Sequence, residues 1–212
     1  LAESGADRTS TIVALGGGVV GDLVGFVAAT YMRGVRYVQV PTTLLAQVDS
    51  AVGGKVAIDL PQGKNLVGSF YPPSEVLVCT EFLASLPKRQ FLNGLAEVLK
   101  YGFIIEPSLV EALHREPLTQ DDPRLSAIVK RCIELKARVV EADEFDRSGR
   151  RAILNFGHSV GHAIEVLTGY EPILHGEAIA SGMVVEARIG EALGVASSGT
   201  AEQVMEIGRA HV

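Results

Sequence analysis

Cysteine is scarce, basic charge is outweighed and long apolar runs are missing. The 212 residues contain two cysteines, Cys79 and Cys132, in unrelated contexts. Their spacing excludes a zinc knuckle or a redox pair and leaves reduced, structural thiols, as in a cytosol. Lys and Arg number 19 against 25 Asp and Glu, and the net charge of −6 argues against nonspecific nucleic-acid binding. A few local Lys and Arg residues can still focus a positive field on a small anionic substrate. No stretch reaches the roughly 18 apolar residues of a membrane span. The polar opening LAESGADRTS is not a signal peptide. These absences give a cytoplasmic expectation, with neither nucleic acid nor membrane as partner. At 47% hydrophobic and 21% charged residues the chain is not a disordered one. It opens without Met, as if in mid-helix, and the expectation is a fragment lacking an N-terminal part and a C-terminal end. Glu206 to Val212 stops abruptly after a helical pattern and stands as a candidate non-native tail, so His211 is assigned no role.

What is present divides into two stretches. TIVAL, Thr11 to Leu15, reads as a buried strand, and GVVGDLVGFVAATYM as a helix after a glycine turn. VRYVQV, stopped by Pro41, completes a βαβ unit with parallel pairing. A short helix is expected over Thr43 to Val48, a hairpin from KVAID and NLVGSF around LPQGK, and a buried strand at EVLVC. Beyond about Pro87 strand signals vanish and five long helical patterns follow, RAILNFGHSVGHAIEVLT among them as one unit. The expected organisation is an α/β segment, 1–86, then an all-helical one, 87–212, with a ligand cleft between them. No repeat or low-complexity tract interrupts it.

Gly16 to Gly21, GGGVVG, satisfies G-x-G-x-x-G between a strand and a helix, where backbone N–H groups can approach a pyrophosphate. Any tight β–α turn favours glycine, so a plain turn is an equal alternative. The acid that dinucleotide folds place about 20 residues further on to hold the ribose is absent, because that stretch is VQVP. No Lys-Ser/Thr pair follows, which disfavours a P-loop.

His158 and His162 stand at i and i+4 on one helix face, and His175 opens the next helical pattern. Three of five histidines within 18 residues, with a carboxylate, suit a catalytic zinc site with an open position. Glu97, Glu165 and Glu177 are all candidates for that carboxylate, although Glu177 suits a helix start equally. Lys55 in GGK, Lys64 and Asn65 in GKN, Lys100 one turn beyond Glu97, and Arg151 one turn before Asn155 add polar candidates. For each the alternative is a solvated surface charge.

Taken together, GGGVVGD, YMRG, PTTLLAQVDSAVGGK, GKNLVGSF, LAEVLKYG, NFGHSVGHAIE and HGEAIASGM resemble the 3-dehydroquinate synthase family of the shikimate pathway, from about Thr11 to Glu191. The resemblance implies a Rossmann-like NAD-binding segment followed by a helical metal-binding domain, with the ribose held upstream of the glycine turn. It implies one divalent metal, zinc or cobalt, on Glu97, His158 and His175. It implies NAD contacts from Gly18, Val19, Val20, Gly21, Asp22, Thr42, Thr43, Lys55, Lys64 and the turn Phe82, Leu83, Ala84, Ser85. The substrate pocket it implies comprises Arg33, Asp49, Lys55, Asn65, Lys100, Lys136, Arg151, Asn155 and His162, with His162 near the phosphate rather than on the metal. One departure is EADEFDRSGRRAIL, where the family pattern is closer to DERE-x-G-x-R.

The implied reaction turns 3-deoxy-D-arabino-heptulosonate 7-phosphate into 3-dehydroquinate and phosphate. It runs through transient NAD-dependent oxidation, β-elimination of phosphate, reduction, ring opening and intramolecular aldol closure. The implied partner is an anionic sugar phosphate, and the implied assembly a homodimer. Alternatives are another sugar-phosphate cyclase, of deoxyinosose or valiolone type, a metal-dependent alcohol or glycerol dehydrogenase, or an inactive fragment. The dehydrogenases usually continue PTT toward a GTGSE-like sequence, where this chain has LLAQVDSAVGGK.

Overall fold

The computed structural model describes residues 1–170 and 172–211, the last two as backbone only. Val212, which ends the candidate tail, and the side chain of His211 therefore lie outside the described residues. The α/β part begins with β1, Thr11–Gly16, and α1, Gly18–Thr30, and returns in β2, Arg36–Pro41, parallel to β1 with Thr11 opposite Arg36. The expected βαβ unit is thus present. The expected hairpin is too: β3, Lys55–Leu60, pairs antiparallel with β4, Gly63–Phe70. It packs on α1 through a close approach, since a Cβ on Gly25 would stand 2.4 Å from Val56 Cγ1.

Two expectations are corrected here. EVLVC does not form a buried strand: only Glu75–Val76, β5, pairs with β2, and Leu77 is exposed. TIVAL is buried on one side only: Val13 and Leu15 share a face of β1 that is left open, each 59% exposed, while Ala14 on the other face is buried. The short helix expected over Thr43 to Val48 is present from Leu44, with Thr43 O accepting from Gln47 N, and it widens over Ala46–Ser50 into a π-helical turn of the kind frequent at functional sites.

The helical part contains α2, Lys88–Ile104, α3, Pro107–Arg115, α4, Leu125–Glu141, α5, His158–Leu167, α6, His175–Ala192, and α7, Thr200–His211. Its main core gathers Leu95, Val98, Leu99 and Tyr101 of α2 with Leu113, Val129, Cys132, Leu135 and Ile207. A second cluster joins Ile179 and Met183 of α6 to Val204 of α7. A helix surrounded on all sides buries even its polar residues, and α2 buries Asn93, Glu97 and Lys100.

The expected single helix RAILNFGHSVGHAIEVLT is broken. Arg150–Asn155 is a 3-10 turn, and α5 starts only after Gly157, whose φ of +83° is a left-handed value that favours glycine. Arg151 is therefore not on the histidine helix. At the break the chain meets α6 at near contact: a Cβ on Gly182 would lie 2.0 Å from Gly157 O. The widths of these two glycines set the spacing of α5 and α6.

Candidate active site

The floor of the site is α2, where Glu97 and Lys100 stand one turn apart, 0% and 2% exposed, with Lys100 Nζ against Glu97 Oε2. Burying such a pair costs more in lost hydration than its attraction commonly returns. A buried charge that stability does not require marks a functional candidate. Oε2 is taken by Lys100, whereas Oε1 has no hydrogen-bond partner. Oε1 instead faces two imidazoles, His158 Nε2 and His175 Nε2, each at 3.5 Å. One ligand atom from each of these three residues fits within 4.8 Å of the others. An orphaned carboxylate oxygen with two imidazole nitrogens is a donor set that suits a divalent ion such as zinc.

The starts of α5 and α6 are each tied down by an acceptor from another helix. Glu186 of α6 reaches across to α5, where its Oε2 accepts from Gly157 N at 2.7 Å and its Oε1 from Val160 N at 3.1 Å. Asn93 Oδ1 accepts from Gly176 N at the start of α6. Glu177 Oε2 accepts from Leu174 N at 2.8 Å and pairs with Arg89, so it closes the helix start and stands outside the triad of donors.

The imidazoles differ electrostatically. Burial pushes His158 down, with Glu97 opposing. Burial pushes His175 down as well, but its contacts with Glu165 and Glu97 outweigh that and raise it to about 9. For Glu97 burial raises the carboxyl, and the Lys100 charge overcomes it and keeps the group ionised.

A cavity of 660 Å³ opens above this floor. Asp49, on the π-helical turn, accepts from Lys136 Nζ at 2.9 Å and Tyr101 Oη at 3.0 Å. Burial pushes the Asp49 carboxyl up, but Lys136 and Lys100 hold it well below the usual carboxylate range. Arg151 is buried, donates to Glu144 O, and fills the space beside Gly53 that a Cβ would take. Lys100, Lys136, Arg151, Asn155, Asp49, His158, His162 and His175 all line this cavity, as do Lys55, Lys64, Asn65, Gly18, Val19 and Asp22. At its rim Lys55 pairs with Asp146 at 2.6 Å and Lys64 with Glu165 at 2.9 Å. Asp146 belongs to the segment that departs from the family pattern.

The N-terminus of α1 opens at the same cavity, and its cap, Gly17, has no side-chain hydrogen bond to the helix amides. First-turn N–H groups without a cap and a positive helix end suit an anion. Arg33, Val20, Gly21, Thr42, Thr43 and the turn Phe82 to Ser85 do not line the cavity. Arg33 is exposed in a 3-10 turn, and Leu83 points into the main core. Sequence reading left out Tyr101, Asp146, Glu186 and Tyr170. Tyr101, at the position after Lys100, is 0% exposed yet polar, but no local pattern pairs it with Asp49.

Comparison with known proteins adds the following. The family model for the 3-dehydroquinate synthase N-terminal part matches residues 1–93, and that for the C-terminal part matches residues 94–211. A 3-dehydroquinate synthase of Pelobacter propionicus is 58% identical over 210 residues, covering 98% of this chain and 58% of its own length. The chain therefore spans under two thirds of that relative. The crystal structure of a 2-deoxy-scyllo-inosose synthase with carbaglucose-6-phosphate, NAD+ and Co2+ superposes with a TM-score of 0.90 at 34% identity, over 98% of this chain and 58% of that one. A 2-epi-5-epi-valiolone synthase of Streptomyces hygroscopicus, with NAD+ and Zn2+ bound, gives 0.92 at 27%, over 99% and 59%. No helix among the described residues is long and apolar enough to cross a membrane.

Proposed function

The chain belongs to the 3-dehydroquinate synthase family, and from that premise we propose that the protein converts 3-deoxy-D-arabino-heptulosonate 7-phosphate into 3-dehydroquinate and phosphate. The observation that carries this reading is a single cavity that holds both an orphaned Glu97 oxygen between two imidazoles and a set of Lys and Arg side chains. On this reading Glu97, His158 and His175 hold one divalent ion, zinc or cobalt, and the uncapped start of α1 with Gly18, Val19 and Asp22 receives NAD, between a nucleotide part, 1–86, and a helical part, 87–212. When bound, the pair supplies reversible hydride removal at the C5 carbinol and Lewis-acid polarisation of its oxygen.

The chain's own residues divide the anionic substrate by depth. Lys100, Lys136 and Arg151 are almost fully buried, so their charges act at low dielectric, and the Arg151 fork suits a planar carboxylate. Lys55 and Lys64 stand at the rim, with side chains 53% and 40% exposed. Both are engaged by carboxylates that an incoming phosphate must replace. His162, 61% exposed at the same rim, moves a proton for the departing phosphate. Nucleic acid and membrane have no part in this reading, which is of a cytoplasmic homodimer.

The inosose and valiolone synthases share the fold at 34% and 27% identity, whereas the dehydroquinate synthase stands at 58%, and that difference favours dehydroquinate as product. The test is phosphate release from the heptulosonate phosphate by the full-length protein, with and without a chelator. Chelator-sensitive release of one phosphate per dehydroquinate is expected, and release indifferent to the chelator overturns the reading. Replacing His162 by Ala is expected to lower turnover about 100-fold or more while the metal content stays at one per chain. Loss of the metal in that variant would overturn the role given to His162.

A further inference from the structure

Beyond the three proposed ligands, the site contains a buried carboxylate that the reaction does not use. Glu165 lies two turns along α5 from His158, and its side chain is 4% exposed. Its Oε1 is 3.4 Å from His175 Nδ1, the ring nitrogen turned away from Glu97. Lys64 Nζ meets the same oxygen at 2.9 Å from the β3–β4 hairpin and sits 4.2 Å from the centre of the Tyr170 ring.

His158 repeats the arrangement with a different acceptor: its Nδ1 is 3.2 Å from Phe156 O while its Nε2 faces Glu97. Both rings therefore engage Nδ1 with a protein oxygen and turn Nε2 to the same carboxylate. A ring whose Nδ1 hydrogen is held this way has only its Nε2 to offer an ion, which displaces any proton there on binding. For His158 the acceptor is neutral backbone, and for His175 it is an anion.

We propose that Glu165 is the positioning residue for His175: it accepts the Nδ1 hydrogen, fixes the ring's tautomer and plane, and aims Nε2 at the ion held with Glu97 and His158. This rests on the reading of Glu97, His158 and His175 as ligands. Glu165, His162 and His175 also form a second set of close donor atoms. In that set Glu165 is already paired with the Lys64 ammonium.

The experiment is a titration of the metal-free full-length protein with Co2+, following the visible d–d bands and measuring affinity by competition with a chelating dye. Glu165→Ala is expected to weaken Co2+ binding 10- to 100-fold, roughly the loss seen when a ligand's hydrogen-bond partner is removed, and to change the bands. Glu165→Gln still accepts the hydrogen but carries no charge, and is expected to fall between Ala and the unaltered protein. A purely structural role would shift the thermal midpoint of the metal-free protein and leave affinity and bands alone, and that result overturns the proposal. So does a stoichiometry of two ions that Glu165→Ala reduces to one. Glu97→Ala separates the premise from the proposal. If it leaves Co2+ binding unchanged, the ligand reading fails and the proposal with it; if it abolishes binding while both Glu165 variants bind normally, the proposal alone fails.

Discussion

The two halves of the cavity are built in opposite ways. On the helical side the charged groups of the floor are buried and paired: Lys136 and Tyr101 with Asp49 of the π-helical turn, and Glu97 with Lys100 one turn along the same helix. On the α/β side the residues around the glycine turn make few side-chain contacts, and Val13, Leu15 and Val19 are 59%, 59% and 82% exposed. Charges in low dielectric act strongly but tolerate no missing partner, whereas backbone amides at a helix start need no neighbours to be useful. Substitutions should therefore cost stability on the helical side and little on the other.

The sharpest test is Asp49→Ala. It strips a carboxylate from the Lys136 and Tyr101 donors inside the protein, and a loss of about 3 kcal/mol in urea unfolding is expected. A loss below that of a surface residue would break the comparison. Glu186→Ala removes the acceptor at the start of α5, with an expected cost of about 1 kcal/mol and a weaker hold on metal. Calorimetry and metal competition on the same samples check both.

On the other side, Asp22 makes the contrast depend on pH. Burial raises its carboxyl to about 6, with Lys136 opposing and Asp49 and Asp59 adding to the rise. A folded value above the unfolded one means that the favourable contribution is complete below about 4 and lost as pH rises through about 6. Asp22→Asn should thus stabilise the protein by about 1 kcal/mol at pH 8, after allowance for partial exposure, and the gain should vanish by pH 4. Denaturation midpoints across that range decide it, and a constant gain would sink the idea. Smallest of all, Arg36→Ala breaks the exposed pair with Glu75 on neighbouring strands and should change stability by less than about 0.5 kcal/mol.

The same contrast governs what could be read in advance. Periodicity identifies α1 and α2, and strand composition bounded by turn residues identifies β2 and the hairpin, even though β4 is exposed along nearly its whole length. Periodicity fails over Arg150 to Leu167, since the apolar spacing runs through a break that only the backbone of Gly157 reveals. It overextends β5, because EVLVC has strand composition but finds partners for two residues only. The histidine cluster was legible as chemistry, and the family resemblance pointed to Glu97 among three carboxylates. Asp49 with Lys136 is a pairing across 87 positions that no local pattern encodes. Glu165 was visible as a candidate, but its direction relative to His175 depends on how two helices lie together.

That packing has a consequence in the terms of chelation. With Gly157 and Gly182 interlocked and Glu186 bridging the same two helices, the rings of His158 and His175, with centroids 5.4 Å apart, would on the proposed ligand set form one bidentate claw with a fixed bite. An ion captured by one ring meets the other at an effective concentration set by folding rather than by diffusion. Only the carboxylate on α2 has to close on it. Slow release, more than fast capture, is what such a claw confers.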